Sequence, residues 1–325
     1  MDYSKRDSKQ WARQNLTGQW TTMVTPFTKD DRLDEEGLKR NIEHVLSLGT
    51  KGMGFSWNMG EFWSLTKEER LRLMEIAPDL IRKRAMAAFQ VTDTSIKDVI
   101  GMANKAEQYG YDFVILGPPY MVTKTEDQVV NFVGKVAEKT NIGIAFYNSP
   151  QFGIVLNVKG LTRISEIENV IAIKEASFNT QIGIDTHLMA GKNAVVSVPD
   201  EEIFFYEQYY NFHQQAMFAN TSDWRFDTKT KHDYVNFIDL ATSGQMDKAR
   251  EAYKAVYPVK SVSRKWWPRI VARTGGSLPV QMAKYWGELM GMAGGHVRPP
   301  VLELTQDERD GIKKDLIGLG LIPAE

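Results

Sequence analysis

The stretch VIAIKEA, residues 170–176, is a short β-rich apolar run that carries Lys174 near its end. The preceding run, residues 142–147, reads IGIAFY and ends in Tyr147. Amphipathic stretches with helical spacing separate such runs along the chain. Alternation of this kind indicates a parallel sheet, and eight units over roughly 200 residues predict a (β/α)8 TIM barrel. The eight strand candidates are residues 20–27, 52–56, 85–91, 113–117, 142–147, 170–176, 194–198 and 216–219.

An open, doubly wound sheet is the competing architecture for this alternation. It is disfavoured because no Gly-x-Gly-x-x-Gly turn follows the first strand candidate. Helix candidates between the strands include residues 35–48, 67–83, 95–109 and 126–139. Thr66 with Glu69, and Thr125 with Gln128, have the spacing of capping boxes at two of the helix starts.

The strand pattern stops after about residue 225, where only helical patterns follow. Those patterns cover residues 231–243, 247–256, 279–292 and 306–319. We therefore predict an N-terminal arm (1–17), a catalytic (β/α)8 barrel (18–225) and a C-terminal helical extension packed on the barrel (226–325).

Composition excludes several classes of function. The chain has 325 residues, 42% of them hydrophobic, and a net charge of −1, which gives no broad basic surface for nucleic acid or an anionic membrane. No apolar stretch reaches the roughly 18 residues of a membrane span, and the first residues lack the apolar core of a signal peptide. Cysteine is absent, so thiolate catalysis, disulfides and cysteine metal sites are excluded and a cytoplasmic location is expected.

Lys174 and Tyr147 close neighbouring strand candidates, and together they provide the groups that Schiff-base chemistry requires. A lysine attacks a keto group only when it is unprotonated, and an apolar barrel interior disfavours the charged ammonium. A phenol beside it can carry protons to and from the carbinolamine. The alternative at this point is a lysine that merely reaches solvent from a strand end.

Catalytic groups of a TIM barrel lie at the carboxyl ends of its strands, so the motifs found there carry the family information. Taken in order, they resemble those of the dihydrodipicolinate synthase and N-acetylneuraminate lyase superfamily of class I aldolases. The resemblance extends over residues 18–321. The motifs are VTPF (24–27), GEFWSLTKEE (60–69), GPPY (117–120), YNSP (147–150), IKEAS (173–177) and RPP (298–300).

This resemblance implies roles for individual residues. Lys174 is the Schiff-base lysine and Tyr147 the phenol that relays protons, with a covalent imine to Lys174 in place of any cofactor. Tyr120 matches a second tyrosine that, in some members, reaches into the site of a neighbouring subunit. A homo-oligomer, dimer or tetramer, is expected on the same ground.

Two departures from the family pattern concern substrate binding. Members typically carry Gly-Thr-Thr-Gly-Glu or Gly-Ser-Thr-Gly-Glu after the second strand, where hydroxyls and amides hold the pyruvate carboxylate. This chain has Trp57, Asn58 and Met59 before the glycine, so Asn58 keeps a polar group and Met59 offers only its backbone amide. Phe152 stands where dihydrodipicolinate synthases carry an arginine for a second carboxylate, which disfavours a dicarboxylate or semialdehyde partner.

The expected function is that of a Schiff-base-forming lyase that acts on a 2-keto acid. Aromatic residues near the predicted mouth favour retro-aldol or hydratase-aldolase chemistry that releases pyruvate and an aromatic or apolar aldehyde. The alternatives are dehydration of a deoxy keto sugar acid, as in ketodeoxyglucarate dehydratases, and a non-catalytic barrel that binds keto acids. Small-molecule keto acid and aldehyde are the expected partners. The aromatic residues are Trp57, Phe62, Trp63, Phe152 and Trp224.

Other polar residues have simpler interpretations. No two histidines have the spacing of a metal-ligand pair, so no metal site is expected. Glu61 is expected to order the second loop through hydrogen bonds with the backbone. Glu175 follows Lys174 directly and, by strand alternation, should point away from it. The basic residues between 260 and 269 are interpreted as a helix face or a subunit contact.

Overall fold

The computed structural model describes residues 2–218 and 221–324. Within those residues, eight strands form one sheet. Each strand is short and almost entirely buried, as strands covered on both faces must be. The strands are β1 (Gly18–Thr22), β2 (Gly52–Phe55), β3 (Met86–Gln90), β4 (Phe113–Leu116), β5 (Gly143–Asn148), β6 (Val170–Glu175), β7 (Val195–Ser197) and β8 (Ala216–Phe218).

The sheet follows the order of the chain, β7-β6-β5-β4-β3-β2-β1-β8, so the first strand lies beside the last. Pairing is parallel from β3 through β7 and between β1 and β8. The two end strands, β7 and β8, are joined by a bond from the Phe218 amide to Ser197 Oγ at 2.7 Å. The predicted (β/α)8 TIM barrel with C-terminal helices is therefore confirmed.

Helices connect the strands and continue after the last one. The helix starts agree with the capping predictions, since the boxes Thr66/Glu69 and Thr125/Gln128 both form. The helices in the described part of the chain are α1 (Ser8–Asn15), α2 (Glu35–Ser47), α3 (Lys67–Ile81), α4 (Ile96–Gln108), α5 (Glu126–Glu138), α6 (Val158–Glu166), α7 (Thr180–Ala190), α8 (Glu207–Tyr210), α9 (Ser222–Phe226), α10 (Asp233–Thr242), α11 (Met246–Arg273), α12 (Val280–Leu289) and α13 (Gln306–Gly318).

Two element boundaries differ from the predictions by more than three residues. The first strand ends at Thr22 and not at residue 27, since Pro26 cannot donate a ladder hydrogen bond. Helix α11 continues to Arg273 through Pro258 and Pro268, although proline normally ends a helix. The eighth strand was expected to include Ala219, which lies outside the described residues.

The chain divides into two compact units. One contains residues 1–20, 86–219 and 241–246, and therefore holds β3 to β8. The other contains residues 21–85, 220–240 and 247–325, with β2 and the long C-terminal helices. The predicted division at residues 17 and 225 stays a prediction. Among the described residues, no helix is both long and apolar enough to span a lipid bilayer.

Candidate active site

Lys174 lies on β6, directly beside Tyr147 of β5 in the strand register. Its side chain is only 1% exposed. Burial lowers the pKa of the Lys174 ammonium to about 7 because the charged form loses its hydration. A substantial fraction of this lysine is therefore an unprotonated, nucleophilic amine near neutral pH.

Tyr147 provides an aromatic face beside that amine. Lys174 Nζ lies 5.0 Å from the centroid of the Tyr147 ring. Burial raises the pKa of the phenol, while a hydrogen bond with Ser149 opposes the shift. The phenol is consequently neutral at pH 7 and can donate or pass on a proton without carrying charge.

Phe152 extends this aromatic wall. It ends the 3-10 helix Pro150–Phe152, and its ring meets the Tyr147 ring edge-on at a centroid distance of 5.3 Å. A Cβ atom added to Gly117 would lie 2.5 Å from the Phe152 ring. Glycine at 117 thus makes the room that Phe152 occupies. The ring is 2% exposed and acts as a packed apolar wall.

Glu175 follows Lys174 but its carboxylate bonds elsewhere. It accepts hydrogen bonds from Asn148 Nδ2 at 2.6 Å and from the Ser177 amide at 2.8 Å. Burial raises the pKa of this carboxyl group, and these bonds oppose the shift. The interpretation of Glu175 as a structural residue is confirmed, since it fixes the ends of β5 and β6 against each other.

A cavity of about 150 Å³ begins at the residues that directly follow Lys174. Its lining combines three acidic side chains, Glu175, Asp200 and Glu202, with the aromatic residues Phe178 and Tyr206. Sequence reasoning missed Asp200 and Glu202. The signal was present, because both follow the carboxyl end of β7, where barrel sites are built.

Tyr120 is half-buried and lies on the loop that follows β4, in the same unit as Lys174. The next residues, Met121 and Val122, are 78% and 68% exposed, and Met121 has a left-handed backbone with a φ of 79°. A loop that exposes two large apolar side chains is suited to contact another protein surface.

Trp57, Asn58 and Met59 belong to the other unit, where they form a buried turn. The 3-10 helix Asn58–Gly60 follows Trp57, and both Asn58 and Met59 are buried. The Trp57 ring lies where a Cβ atom on Gly54 would clash, at 2.0 Å. Trp57 is thus packed on the end of β2.

The remaining aromatic candidates differ in how far their side chains are exposed to solvent. Trp224 is fully buried and donates from Nε1 to the Thr22 carbonyl at 3.2 Å. Phe62 is buried as well, with its ring edge-on to Trp63 at 5.4 Å. Trp63 is partly exposed. Trp224 and Phe62 therefore stabilise the fold by packing.

Glu61 forms the expected hydrogen bond with the backbone, at Arg298, and has a further partner that the sequence did not indicate. Its carboxylate forms a buried ion pair with Lys284 of α12, at 2.5 Å between Oε2 and Nζ. Sequence reasoning expected backbone hydrogen bonds for Glu61 and did not identify Lys284. No local signal connects two residues this far apart in the chain, since only the fold brings them together.

Comparison with known proteins gives consistent matches over the chain. The family model described as the dihydrodipicolinate synthetase family matches residues 15–318. A 4-hydroxy-tetrahydrodipicolinate synthase from Methanothrix thermoacetophila is 28% identical over 302 residues, which cover 92% of this chain and 95% of the relative. One from Oceanobacillus iheyensis is 24% identical over 300 residues, which cover 91% and 95%.

Solved structures share the fold. A dihydrodipicolinate synthase from Thermotoga maritima matches with a TM-score of 0.80 at 20% identity, over 95% of this chain and 100% of that chain. A prophage protein of the dihydrodipicolinic acid synthase family from E. coli K12, in complex with pyruvate, matches with a TM-score of 0.79 at 22% identity, over 94% and 99%.

Proposed function

The chain belongs to the dihydrodipicolinate synthetase family, and from this premise we propose that Lys174 forms an imine with pyruvate or a related 2-keto acid. Membership confirms the resemblance noted in the strand-end motifs. It also makes the chain an enzyme, a carbon–carbon lyase of the class I aldolase type. The observation that carries the proposal is a buried lysine whose pKa is about 7 and whose amine lies over the Tyr147 ring.

The proposed reaction starts with attack of the Lys174 amine on the keto carbon. The carbinolamine loses water, with Tyr147 supplying the proton, and leaves a protonated imine. In the cleavage direction, the bond between the carbon next to the imine and the carbinol carbon breaks, and its electron pair moves into the enamine. The relay takes up the hydroxyl proton of the departing aldehyde and delivers a proton to the enamine carbon, which restores the imine, and hydrolysis of that imine then releases the keto acid and the free Lys174 amine.

For the second substrate we propose an aromatic or apolar aldehyde. In hydratase-aldolase chemistry the cleavage follows addition of water to a conjugated double bond. Phe152 supports this choice because it places an uncharged ring against Tyr147. The acidic side chains Glu175, Asp200 and Glu202 along the adjacent cavity also oppose a second carboxylate.

Dehydration of a deoxy keto sugar acid through the same imine is the second candidate. The observation that favours it is the same cavity, since Asp200 and Glu202 could accept hydrogen bonds from sugar hydroxyls. In the relative from E. coli K12 the bound ligand is pyruvate. The substrates of both candidate reactions share the 2-keto acid group of pyruvate, which is the group that forms the imine.

Borohydride reduction tests the central step. Pyruvate and borohydride should add the reduced ligand mass to the peptide that contains Lys174, and Lys174→Ala should abolish the label. A label on another lysine, with Lys174→Ala still active, would end this mechanism. Product analysis with benzylidenepyruvate and with a deoxy keto sugar acid then separates cleavage from dehydration.

Three further features stay predictions. We propose that no metal or organic cofactor takes part, because the imine itself accepts the electron pair. We propose a homo-oligomer, dimer or tetramer, in which the loop of Tyr120 and the exposed Met121 contact a second copy. Asn58 and the Met59 amide are proposed to hold the keto-acid carboxylate.

A further inference from the structure

Lys284 and Glu61 form an ion pair that is almost completely removed from solvent. Their side chains are 1% and 0% exposed, and 2.5 Å separates Nζ from Oε2. The same amine donates to the His296 carbonyl at 2.8 Å and lies 4.2 Å from the centroid of the Phe27 ring. Two charges are costly to bury, so a pair in this place needs several partners to hold it.

Glu61 ends the turn that the proposed carboxylate-binding residues form. Its backbone is left-handed, with φ 56° and ψ 42°, and its amide donates to the Asn58 carbonyl at 3.2 Å. Gly60 is fixed as well, because its carbonyl accepts from Thr25 Oγ1 at 2.7 Å and a Cβ atom there would lie 2.9 Å from the Met23 carbonyl. A non-glycine residue with positive φ is uncommon, and at Glu61 this backbone conformation coincides with the buried ion pair.

Arg298 holds the other end of the same loop. It donates to the Ser64 carbonyl at 2.9 Å and, through two nitrogens, to Glu69 at 2.7 and 2.8 Å. It also donates to Asp31 at 2.7 Å and lies over the Phe27 ring at 4.1 Å. The segment from Lys284 to Arg298 therefore contacts the 57–69 segment at three residues, Glu61, Ser64 and Glu69.

We propose that Lys284 is a positioning residue, which holds the Asn58–Gly60 turn in the conformation that binds the keto-acid carboxylate. This rests on the proposed function of Asn58 and Met59 and adds a role for the C-terminal helices. Lys284 acts through Glu61, and a misplacement of the turn by about 1 Å would reduce catalytic efficiency by 10- to 100-fold.

Two measurements test the role of Lys284. In Lys284→Met, deuterium exchange of the amides in residues 54–65 should rise, and the pyruvate concentration for half-maximal borohydride trapping should increase at least tenfold. The trapping rate at saturating pyruvate should stay within a few-fold of the wild-type rate. Unchanged exchange in residues 54–65 would overturn the proposal.

The double variant Glu61→Gln with Lys284→Met covers the case in which the single variant does not fold. It removes both charges and leaves neither one buried alone, so the variant should fold. Deuterium exchange in residues 54–65 and the pyruvate concentration for half-maximal trapping should still rise. Wild-type values of both quantities in the double variant would show that the pair is not needed to hold the turn.

Arg273→Met is the matched control. Arg273 forms an ion pair with Glu308, at 2.8 and 2.9 Å, within the same unit, and its side chain is 31% exposed. Its loss should lower thermal stability and leave exchange in residues 54–65 and pyruvate half-saturation unchanged. If wild type traps no keto acid, the proposed function fails, and the exchange measurement alone still decides whether Lys284 holds the turn.

Discussion

Two buried lysines in this protein have similar surroundings, and we propose opposite uses for them. Lys174 and Lys284 are each 1% exposed, and each places its amine over an aromatic ring, Tyr147 at 5.0 Å and Phe27 at 4.2 Å. Burial lowers the pKa of both. The difference is a carboxylate, because Glu61 lies against Lys284 and opposes the shift. Burial is the largest cause of the lowered pKa at both lysines. The roles that we propose follow the difference in partner: an ion pair that holds a turn at Lys284 and a nucleophilic amine at Lys174.

Because the two lysines have different partners, we expect substitution of each partner to have a different effect. Tyr147→Phe keeps the ring over Lys174 and removes the hydroxyl. A positioned acid or base typically contributes about 10²- to 10⁴-fold, so turnover should fall by that order while pyruvate still labels Lys174. Steady-state rates and borohydride trapping measure the two effects separately. Turnover near the wild-type value would mean that another group or water carries the proton.

The two lysines should affect stability with opposite signs. Lys284→Met leaves Glu61 as a buried charge without its cation, a loss that typically costs about 3–5 kcal/mol. Lys174→Met removes a group whose folded pKa of about 7 lies below the unfolded value of 10.5. At about 1.4 kcal/mol per pKa unit, that substitution should stabilise the protein by a few kcal/mol at pH 7. Denaturant unfolding of both variants measures the contrast.

The stabilising effect of Lys174→Met also has a defined pH window. Between pH 7 and 10.5 the unfolded chain binds the proton that folded Lys174 has lost, so wild-type stability rises with pH there. The advantage of Lys174→Met should therefore shrink from pH 7 towards pH 10 and stay constant below pH 7. An advantage that is independent of pH, or a destabilised Lys174→Met, would contradict the burial of a lysine with a lowered pKa.

The sequence predicted the fold and one of these lysines. Short β-rich apolar runs that alternate with helical patterns predicted the barrel. The ends of β5 and β6 predicted Lys174 and Tyr147 as a pair, which the register places side by side. Lys284 lies in a helix pattern with no motif around it, and its partner is supplied only by tertiary structure. The length of α11 was missed for a related reason, since packing outweighs the local effect of Pro258 and Pro268.

The rate of imine formation should report the protonation of Lys174. Below its pKa of about 7 the unprotonated fraction falls tenfold per pH unit, so trapping at saturating pyruvate should be roughly 100-fold slower at pH 5 than on the plateau above pH 7. Initial trapping rates from pH 5 to 9 measure this profile. A rate that keeps rising to pH 10 would mean that burial does not lower the pKa of Lys174.

The smallest expected effect concerns Phe152, the wall beside the pair of Tyr147 and Lys174. We expect wild type to have a higher kcat/KM for benzaldehyde-type partners than for aspartate semialdehyde, each with pyruvate, because the ring offers no donor to a second carboxylate. Phe152→Arg should narrow that preference by at least about tenfold, since a hydrogen bond to a charged group contributes roughly 1.5–3 kcal/mol.

Phe152→Leu is the control that separates charge from shape at this wall. It keeps an apolar side chain against Gly117 and loses the edge-on contact with Tyr147, which is about 0.5–1.5 kcal/mol for an aromatic pair. Phe152→Leu should lower kcat/KM with aromatic aldehydes by only a few-fold and should not raise kcat/KM with the semialdehyde.

If wild type already prefers the semialdehyde, the apolar wall does not select the partner. If neither aldehyde reacts and a deoxy keto sugar acid loses water, Asp200 and Glu202 become the residues that select substrate, and the reactive lysine serves a dehydratase.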